Sequence, residues 1–221
     1  MAGRLLAAVF VVLSSPFAAH AAAPTEREWP AWPRELTLSM ASDCGPSHRV
    51  LALARAEAVR VWAPSGVVIR WVAPAELPFA APREGWLVVR CNPDRSPLRP
   101  GTAGLAETIA SIRFIGGDPT NTIMLRVASA SALLARDTPA ERALDERFPP
   151  LREERLARVL GRAIAHEVGH FLARSGDHTR RGLMKSSHSV ELFAGQSLEP
   201  FRVDLVPTMA RLSPLEESLE R

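Results

Sequence analysis

The stretch His166-Glu167-Val168-Gly169-His170 places two imidazoles four residues apart, with a carboxylate beside the first of them. Residues i and i+4 share one face of an α-helix, so both histidines can direct a ring nitrogen at the same ion. Zinc binds imidazole nitrogens at about 2.0–2.1 Å, and a carboxylate in this position is typical of a general base. The stretch therefore predicts a helix that carries a zinc site.

The residues before the motif have the pattern of one long helix. Pro149 and Pro150 suit its first turn, and Glu167 falls inside an apolar arc that recurs at helical spacing. The arc consists of Leu156, Val159, Leu160, Ala163, Ile164, Val168, Phe171 and Leu172. The arginines at 155, 158 and 162 are predicted on the opposite, solvent-exposed face. A carboxylate that faces the core costs several kcal/mol unless it is compensated, which favours a functional site.

A catalytic zinc site needs a third protein ligand and an open position. After His170 the chain reads Phe-Leu-Ala-Arg-Ser-Gly-Asp-His, so Gly176 is expected to end the helix and His178 to follow on the returning chain. Because imidazole suits zinc, we expect His178 to be the third ligand. Asp177 and Glu191 are the alternatives for that position.

With Met184 included, this segment resembles the metzincins, a family of zinc endopeptidases. The family signature is an extended His-Glu-x-x-His motif, a glycine, a third histidine and a methionine-bearing turn. The residues that match those roles in order are His166, Glu167, His170, Gly176, His178 and Met184. The glycine and the third histidine follow His170 by six (176 − 170) and eight (178 − 170) residues, whereas three and six are usual in the family. The resemblance, which covers residues 166–184, is therefore to a divergent, bacterial secreted branch with a longer spacer.

The resemblance implies an α+β fold of the zincin type, in which a twisted mixed sheet packs on the active-site helix and a C-terminal helix closes the domain. It implies a metalloendopeptidase in which Glu167 activates a zinc-bound water, while Met184 supports the histidines without binding metal. The alternatives are a catalytically inert zinc-binding adaptor or inhibitor of the same fold, and a hydrolase of non-peptide amides. The chain contains no tyrosine, which excludes the tyrosine-assisted variants of the family.

Four of the five histidines after residue 21 lie between residues 166 and 188, and such clustering favours a functional site. His188 is interpreted as an exposed loop residue, with a contact to substrate or oxyanion at the rim of the site as the alternative. The two cysteines, Cys44 and Cys91, are expected to form one disulfide. The alternative is a latency segment in which a thiolate of Cys44 occupies the open metal position.

The N-terminal sequence predicts that the protein is exported from the cytoplasm. Residues 1–21 have the features of a signal peptide, with Arg4 at the start, a short apolar core and a small-x-small cleavage site at Ala19-His20-Ala21. The apolar run is too short to predict a membrane span. We therefore expect a secreted or periplasmic protein without a stable membrane span, and a disulfide persists in those compartments.

The rest of the chain is expected to form one catalytic domain at residues 35–212, preceded by a Pro/Trp-rich arm at 22–34 and followed by a charged tail at 213–221. Lys and Arg number 27 and Asp and Glu 24, a net charge of only +3. The basic residues are scattered, so no nucleic-acid partner is indicated. The expected partner is a peptide or protein substrate, and the expected state is a monomer.

Hydrophobic periodicity predicts an order of elements that resembles the upper half of a zincin. Strands are predicted at 36–40, 66–72, 86–91, 109–115 and 121–127, and helices at 47–62, 139–148 and 196–211. In the family, an edge strand binds the substrate backbone by strand addition. One of the two strands in 109–127 is the candidate for that role, with an ordinary internal strand as the equal alternative.

Overall fold

We describe residues 35–41, 44–76, 85–92 and 108–201 of the 221-residue chain from a computed structural model. The predicted signal peptide, the N-terminal arm and the C-terminal tail lie outside these ranges. Within them, a five-stranded mixed sheet is combined with helices. The mixed α+β class expected from the sequence is confirmed.

The strands are β1 (Glu35–Met40), β2 (Val68–Val72), β3 (Trp86–Cys91), β4 (Ala110–Ile115) and β5 (Asp118–Leu125). They lie in the order β2-β1-β3-β5-β4. β1 is parallel to β2 and β3, and β3 is parallel to β5, whereas β4 is antiparallel to β5. The hairpin between β4 and β5 turns at Gly116 and Gly117, both with positive φ. Therefore β4 is an edge strand, and its outer backbone groups have no strand partner in the described sheet.

The helices are α1 (His48–Trp62), α2 (Val127–Leu134), α3 (Pro139–Arg147), α4 (Pro149–Ala173) and α5 (Val190–Ala194). Short 3-10 turns lie at Ala63–Ser65, Pro74–Glu76 and Glu199–Phe201. None of the described helices is long and apolar enough to cross a membrane. α4 contacts all four other helices and both strands of the β4–β5 hairpin, so it occupies the centre of the described structure.

The two longest helices approach each other closely at Gly161. A Cβ atom added at this position would lie 2.5 Å from the carbonyl oxygen of Ala54 and 2.6 Å from the Cβ of Glu57. Both neighbours belong to α1, and the nearer atom is backbone that a rotamer change cannot move. The absence of a side chain at residue 161 therefore sets the distance between α1 and α4.

The prediction that the arginines of α4 face solvent is wrong for Arg155 and Arg162. Their exposed fractions are 5% and 0%. The guanidinium of Arg155 binds the carboxylates of Asp137, Glu141 and Asp145, which lie on α3 and on the turn before it. The α3 segment covers this part of α4, and its carboxylates compensate the buried cation.

The buried charge of Arg162 is compensated by groups from two parts of the chain. Its Nε donates to Glu57 on α1 at 2.8 Å, and its terminal nitrogens donate to the carbonyl oxygens of Leu192, Phe193 and Ser197. Arg158 donates to the next carbonyl in this segment, that of Ala194, at 2.7 Å. Residues 190–201 are thus fixed across α4 by arginines that the helical pattern alone places on the outside.

Several element boundaries also differ from the predictions. β5 begins at Asp118 and ends at Leu125, whereas its predicted range is 121–127. α4 ends at Ala173, and the left-handed position after it is taken by Arg174 with φ 45° rather than by Gly176. Residues 196–198 are not helical, because the backbone is extended at Gly195, and a 3-10 turn follows at 199–201. The rest of the predicted helix at 196–211 lies outside the described ranges. α2 and α5 were not predicted.

Cys44 and Cys91 form a disulfide that joins the chain before α1 to the end of β3. Cys44 is buried. Neither cysteine of the described chain is a free thiol. The alternative in which a thiolate of Cys44 occupies a metal position does not hold for this structure.

Substitution of Gly161 by Ala tests the close approach of α1 and α4. Ala is a better helix former than Gly by about 1 kcal/mol, but the added methyl group overpacks the interface, which costs about 1–3 kcal/mol or more. We expect Gly161→Ala to lower the free energy of unfolding by about 2 kcal/mol in urea denaturation. Gly176→Ala is the matched control, since its added Cβ meets only a ring atom of Phe114 at 3.8 Å. Equal stability of both variants would contradict the close approach.

Candidate metal centre

Three histidines converge at one point beside α4. His166 and His170 project from the last turns of that helix, and His178 lies in the loop that follows it. The ring centroids are separated by 4.7, 5.3 and 4.9 Å. One nitrogen from each ring lies within 4.8 Å of the other two, so the group can hold a metal ion.

Hydrogen bonds fix the protonation of the two helical histidines. Nδ1 of His166 lies 2.8 Å from the carbonyl oxygen of Leu183, and Nδ1 of His170 lies 2.7 Å from that of Ser175. Because a carbonyl oxygen only accepts, each Nδ1 carries the proton and each Nε2 is left with a bare lone pair. Such backbone partners are a common way to orient metal-binding imidazoles.

The two bare nitrogens face each other. Nε2 of His166 and Nε2 of His170 are 3.0 Å apart, and in these tautomers neither has a proton to donate to the other. Zinc with tetrahedral geometry and bonds of 2.0–2.1 Å holds two nitrogens about 3.3 Å apart. A cation between the two lone pairs removes their repulsion, so the donor set fits a metal ion.

Burial keeps these imidazoles neutral. Burial lowers the pKa of His166 to about 3, against an opposing effect of its hydrogen bond to Leu183. Burial also lowers the pKa of His170. A metal binds only the neutral imidazole, so the site presents its nitrogens in the binding form at neutral pH.

A backbone hydrogen bond closes the loop that follows His178. The amide of Thr179 donates to the carbonyl oxygen of Met184 at 2.8 Å, and Gly182 supplies a left-handed turn with φ 71°. Met184 is buried, and a Cβ added at Gly169 would lie 2.2 Å from its sulfur. Met184 therefore packs against α4 at Gly169, the residue before His170. Gly176 packs beside β4 instead of ending the helix.

Glu167 lies between the histidine cluster and the edge of the sheet. Its side chain is buried, and its Oε2 accepts a hydrogen bond from the backbone amide of Ile112 on β4 at 2.8 Å. Burial raises the pKa of Glu167 to about 7, while the bond from Ile112 acts in the opposite direction. A carboxyl group with such a pKa exchanges protons readily near neutral pH.

A cavity of about 480 Å³ opens over the cluster, a size typical of small-molecule and peptide side-chain pockets. It is lined by β4 and the two residues before it, by α4, and by the loop that follows α4, including residues 185–188. Phe193 of α5 and the end of the α2 segment also line it. The three histidines and Glu167 line the same cavity.

The alternative ligands are placed differently from His178. Glu191 is exposed on the first turn of α5 and does not belong to the cluster, and Asp177 is exposed next to His178 without joining it. His188 is half-buried, which corrects its interpretation as an exposed loop residue. Its ring stacks on Phe193 at 5.1 Å and lines the cavity.

Sequence reasoning missed the groups that orient the site. The carbonyl oxygens of Leu183 and Ser175 and the amide of Ile112 are backbone groups, for which no residue type gives a signal. Phe193 was missed because its short helix was not predicted. Its stacking on His188 could be inferred only from coordinates.

Comparison with protein-family models, with curated proteins and with solved structures finds no match.

The metal site can be tested by zinc content. We expect the purified protein to hold about one zinc per chain and His178→Ala to lose most of it, because two nitrogens bind far more weakly than three. Elemental mass spectrometry after dialysis measures this. Glu191→Ala is the control and should keep its zinc. Retention by His178→Ala with loss by Glu191→Ala would make Glu191 the ligand.

The burial of Glu167 predicts a pH effect on the metal-free protein. A carboxyl group whose pKa rises from 4.5 to about 7 on folding stabilises the fold below pH 4.5, and this contribution is lost as the pH rises through 7. From pH 5 to pH 8 the parent should lose about 2–3 kcal/mol relative to Glu167→Gln. Urea denaturation with a chelator present measures it. The exposed Glu146→Gln should follow the parent, and parallel pH curves for all three proteins would refute the raised pKa.

Proposed function

We propose that this protein is a zinc-dependent endopeptidase with a zincin-type, metzincin-like fold. The observation that carries the proposal is the buried carboxylate of Glu167 beside three converging imidazoles. Structural zinc sites have four protein ligands and need no base, whereas catalytic sites have three ligands and an open position. Three histidines with an adjacent buried carboxylate therefore favour catalysis.

His166, His170 and His178 would hold the zinc ion. When bound, zinc lowers the pKa of water and polarises a carbonyl oxygen. The hydrogen bonds to Leu183 and Ser175 keep the two helical imidazoles in the tautomer that presents Nε2. These backbone contacts orient the ligands before the metal binds.

Glu167 is the proposed general base. It accepts a proton from the attacking water and transfers it to the amine that leaves when the peptide bond breaks. Its pKa of about 7 without metal falls when a cation lies nearby, because an opposite charge favours the ionised form. The carboxylate is then charged at neutral pH and able to accept the proton.

The edge strand supports a peptide as the substrate. β4 borders the cavity beside Glu167. The amide of Ile112 donates to Glu167, and the other outer backbone groups of this edge strand can pair with an extended chain. Such pairing recognises any peptide backbone and aligns it across the catalytic carboxylate. A small non-peptide amide would leave these groups unused.

The proposed place of action is the periplasm or the exterior of the cell. The disulfide of Cys44 and Cys91 is of a kind that persists in oxidising compartments, and the first 21 residues have the pattern of a secretory signal peptide. The proposed protein acts as a monomer on peptides or proteins, without a nucleic-acid partner.

The mechanism predicts separate effects on catalysis and on metal binding. Glu167→Ala should lower kcat/KM for an unfolded protein substrate by at least about 10²–10⁴-fold while zinc content stays near one per chain. The exposed Glu146→Ala is the control and should keep full activity. Hydrolysis by the parent should stop with a chelator and return with zinc. Full activity of Glu167→Ala would refute the mechanism, and zinc without hydrolysis in the parent would favour an inert binding protein.

A further inference from the structure

The carbonyl oxygen of Leu183 contacts two imidazoles. Nδ1 of His166 lies 2.8 Å from it, and Nε2 of His188 lies 3.3 Å from it. A carbonyl oxygen has two lone pairs and only accepts hydrogen bonds, so each of these ring nitrogens donates a proton to it. His166 belongs to the histidine cluster that can hold a metal ion, whereas His188 does not. His188 is therefore connected to a proposed zinc ligand through one backbone oxygen.

The carbonyl groups on either side of Leu183 are held in a different way. They accept hydrogen bonds from backbone amides of the same loop, those of Lys185 and Thr179. The carbonyl oxygen of Leu183 instead accepts hydrogen bonds from side chains. The imidazole of His188 therefore helps to fix the direction of this carbonyl group.

The ring of His188 packs against two buried phenylalanines. Its centroid lies 5.1 Å from the ring centroid of Phe193 and 5.2 Å from that of Phe201. Arg162 on α4 holds both of them, because its guanidinium lies 4.6 Å from the ring centroid of Phe201 and donates to the carbonyl oxygen of Phe193. The position of the His188 ring is thus set by residues outside the loop that contains Leu183.

The imidazole of His188 is uncharged at neutral pH. Burial lowers its pKa, against the opposing effect of its contacts with the backbone of Leu183 and Lys185. A neutral imidazole has one N–H group, and the contact with Leu183 places that proton on Nε2. His188 can therefore donate a hydrogen bond without adding a positive charge beside the metal site, where it would oppose the binding of a cation.

We propose that His188 is a positioning residue of the metal site, which orients the imidazole of His166 for zinc through the carbonyl oxygen of Leu183. This inference rests on the zinc site of the proposed function and not on hydrolysis. Groups that bind a metal-ligating histidine directly contribute about 10–100-fold to metal affinity. His188 acts one contact further from the metal, so we expect it to contribute about three- to tenfold.

Two substitutions separate the hydrogen bond of His188 from its packing. His188→Phe keeps an aromatic ring against the two phenylalanines but removes the donor. His188→Gln removes the ring but keeps an N–H group at a similar reach to Nε2. His48→Phe is the control, because it makes the same replacement at an exposed histidine of α1. Competition with a chromophoric chelator gives the zinc dissociation constant of each protein, and circular dichroism verifies that each is folded.

We expect His188→Phe to bind zinc about fivefold more weakly than the parent, and His188→Gln to stay within about twofold of it. His48→Phe should bind zinc like the parent. In the metal-free proteins, NMR should show faster exchange of the Nδ1 proton of His166 with solvent in His188→Phe than in the parent or in His188→Gln. A role in packing alone predicts the reverse order, with zinc affinity kept by His188→Phe and lowered in His188→Gln.

Hydrolysis of an unfolded protein by the parent is measured in parallel, so that this inference and the proposed function can fail separately. The reverse order, or equal zinc affinity of His188→Phe and His188→Gln, would overturn the positioning role and leave the peptidase. The expected order without hydrolysis by the parent would support the positioning role and overturn the peptidase. A parent that binds no zinc would overturn both.

Discussion

Burial of α4 on nearly every side is the constraint on which the rest of the structure depends. A helix in this position must have each of its polar side chains compensated by protein groups, since an unpaired buried charge costs several kcal/mol. Arg155 is compensated by α3, and Arg162 by α1 and the 190–201 segment. His166 and His170 are satisfied by backbone carbonyl oxygens, and Glu167 by the edge strand. The surrounding elements are therefore held to α4 by polar contacts as well as by apolar packing.

The partners of the polar side chains on α4 also point to the candidate site. Arg155, Arg158 and Arg162 on α4 each have protein partners that accept their hydrogen bonds, whereas the polar groups of α4 at the cavity are incompletely matched. There the Nε2 lone pairs of His166 and His170 face each other at 3.0 Å, and the environment of Glu167 favours its neutral form. One divalent cation would satisfy the nitrogens and favour the ionised carboxylate. The local electrostatics are thus complementary to a metal ion that the sequence motif predicts on independent grounds.

The sequence was informative where side-chain spacing decides the result. The i and i+4 histidines, the third histidine and the strands from β1 to β5 follow from periodicity and residue type. Sequence analysis failed where packing against a second element decides whether a side chain is buried. The helical pattern of α4 gives one apolar arc but does not show that α3 and α5 cover the other face, so Arg155 and Arg162 were placed in solvent. The orienting carbonyl oxygens of Ser175 and Leu183 depend on the path of the backbone, which residue types do not specify.

The long spacer after His170 has a physical explanation in the turn at Arg174. This residue takes the left-handed conformation that glycine usually occupies after a helix, at a cost of about 1 kcal/mol. Its guanidinium pairs with Asp118 at the β4–β5 turn, and an exposed pair of this kind contributes about 0–1 kcal/mol, a similar magnitude. Because the chain turns at 174, residues 175–177 lie between the helix and His178, and the carbonyl oxygen of Ser175 accepts a hydrogen bond from Nδ1 of His170. This turn thus orients His170 and connects the loop that carries His178 to the hairpin of the edge strand.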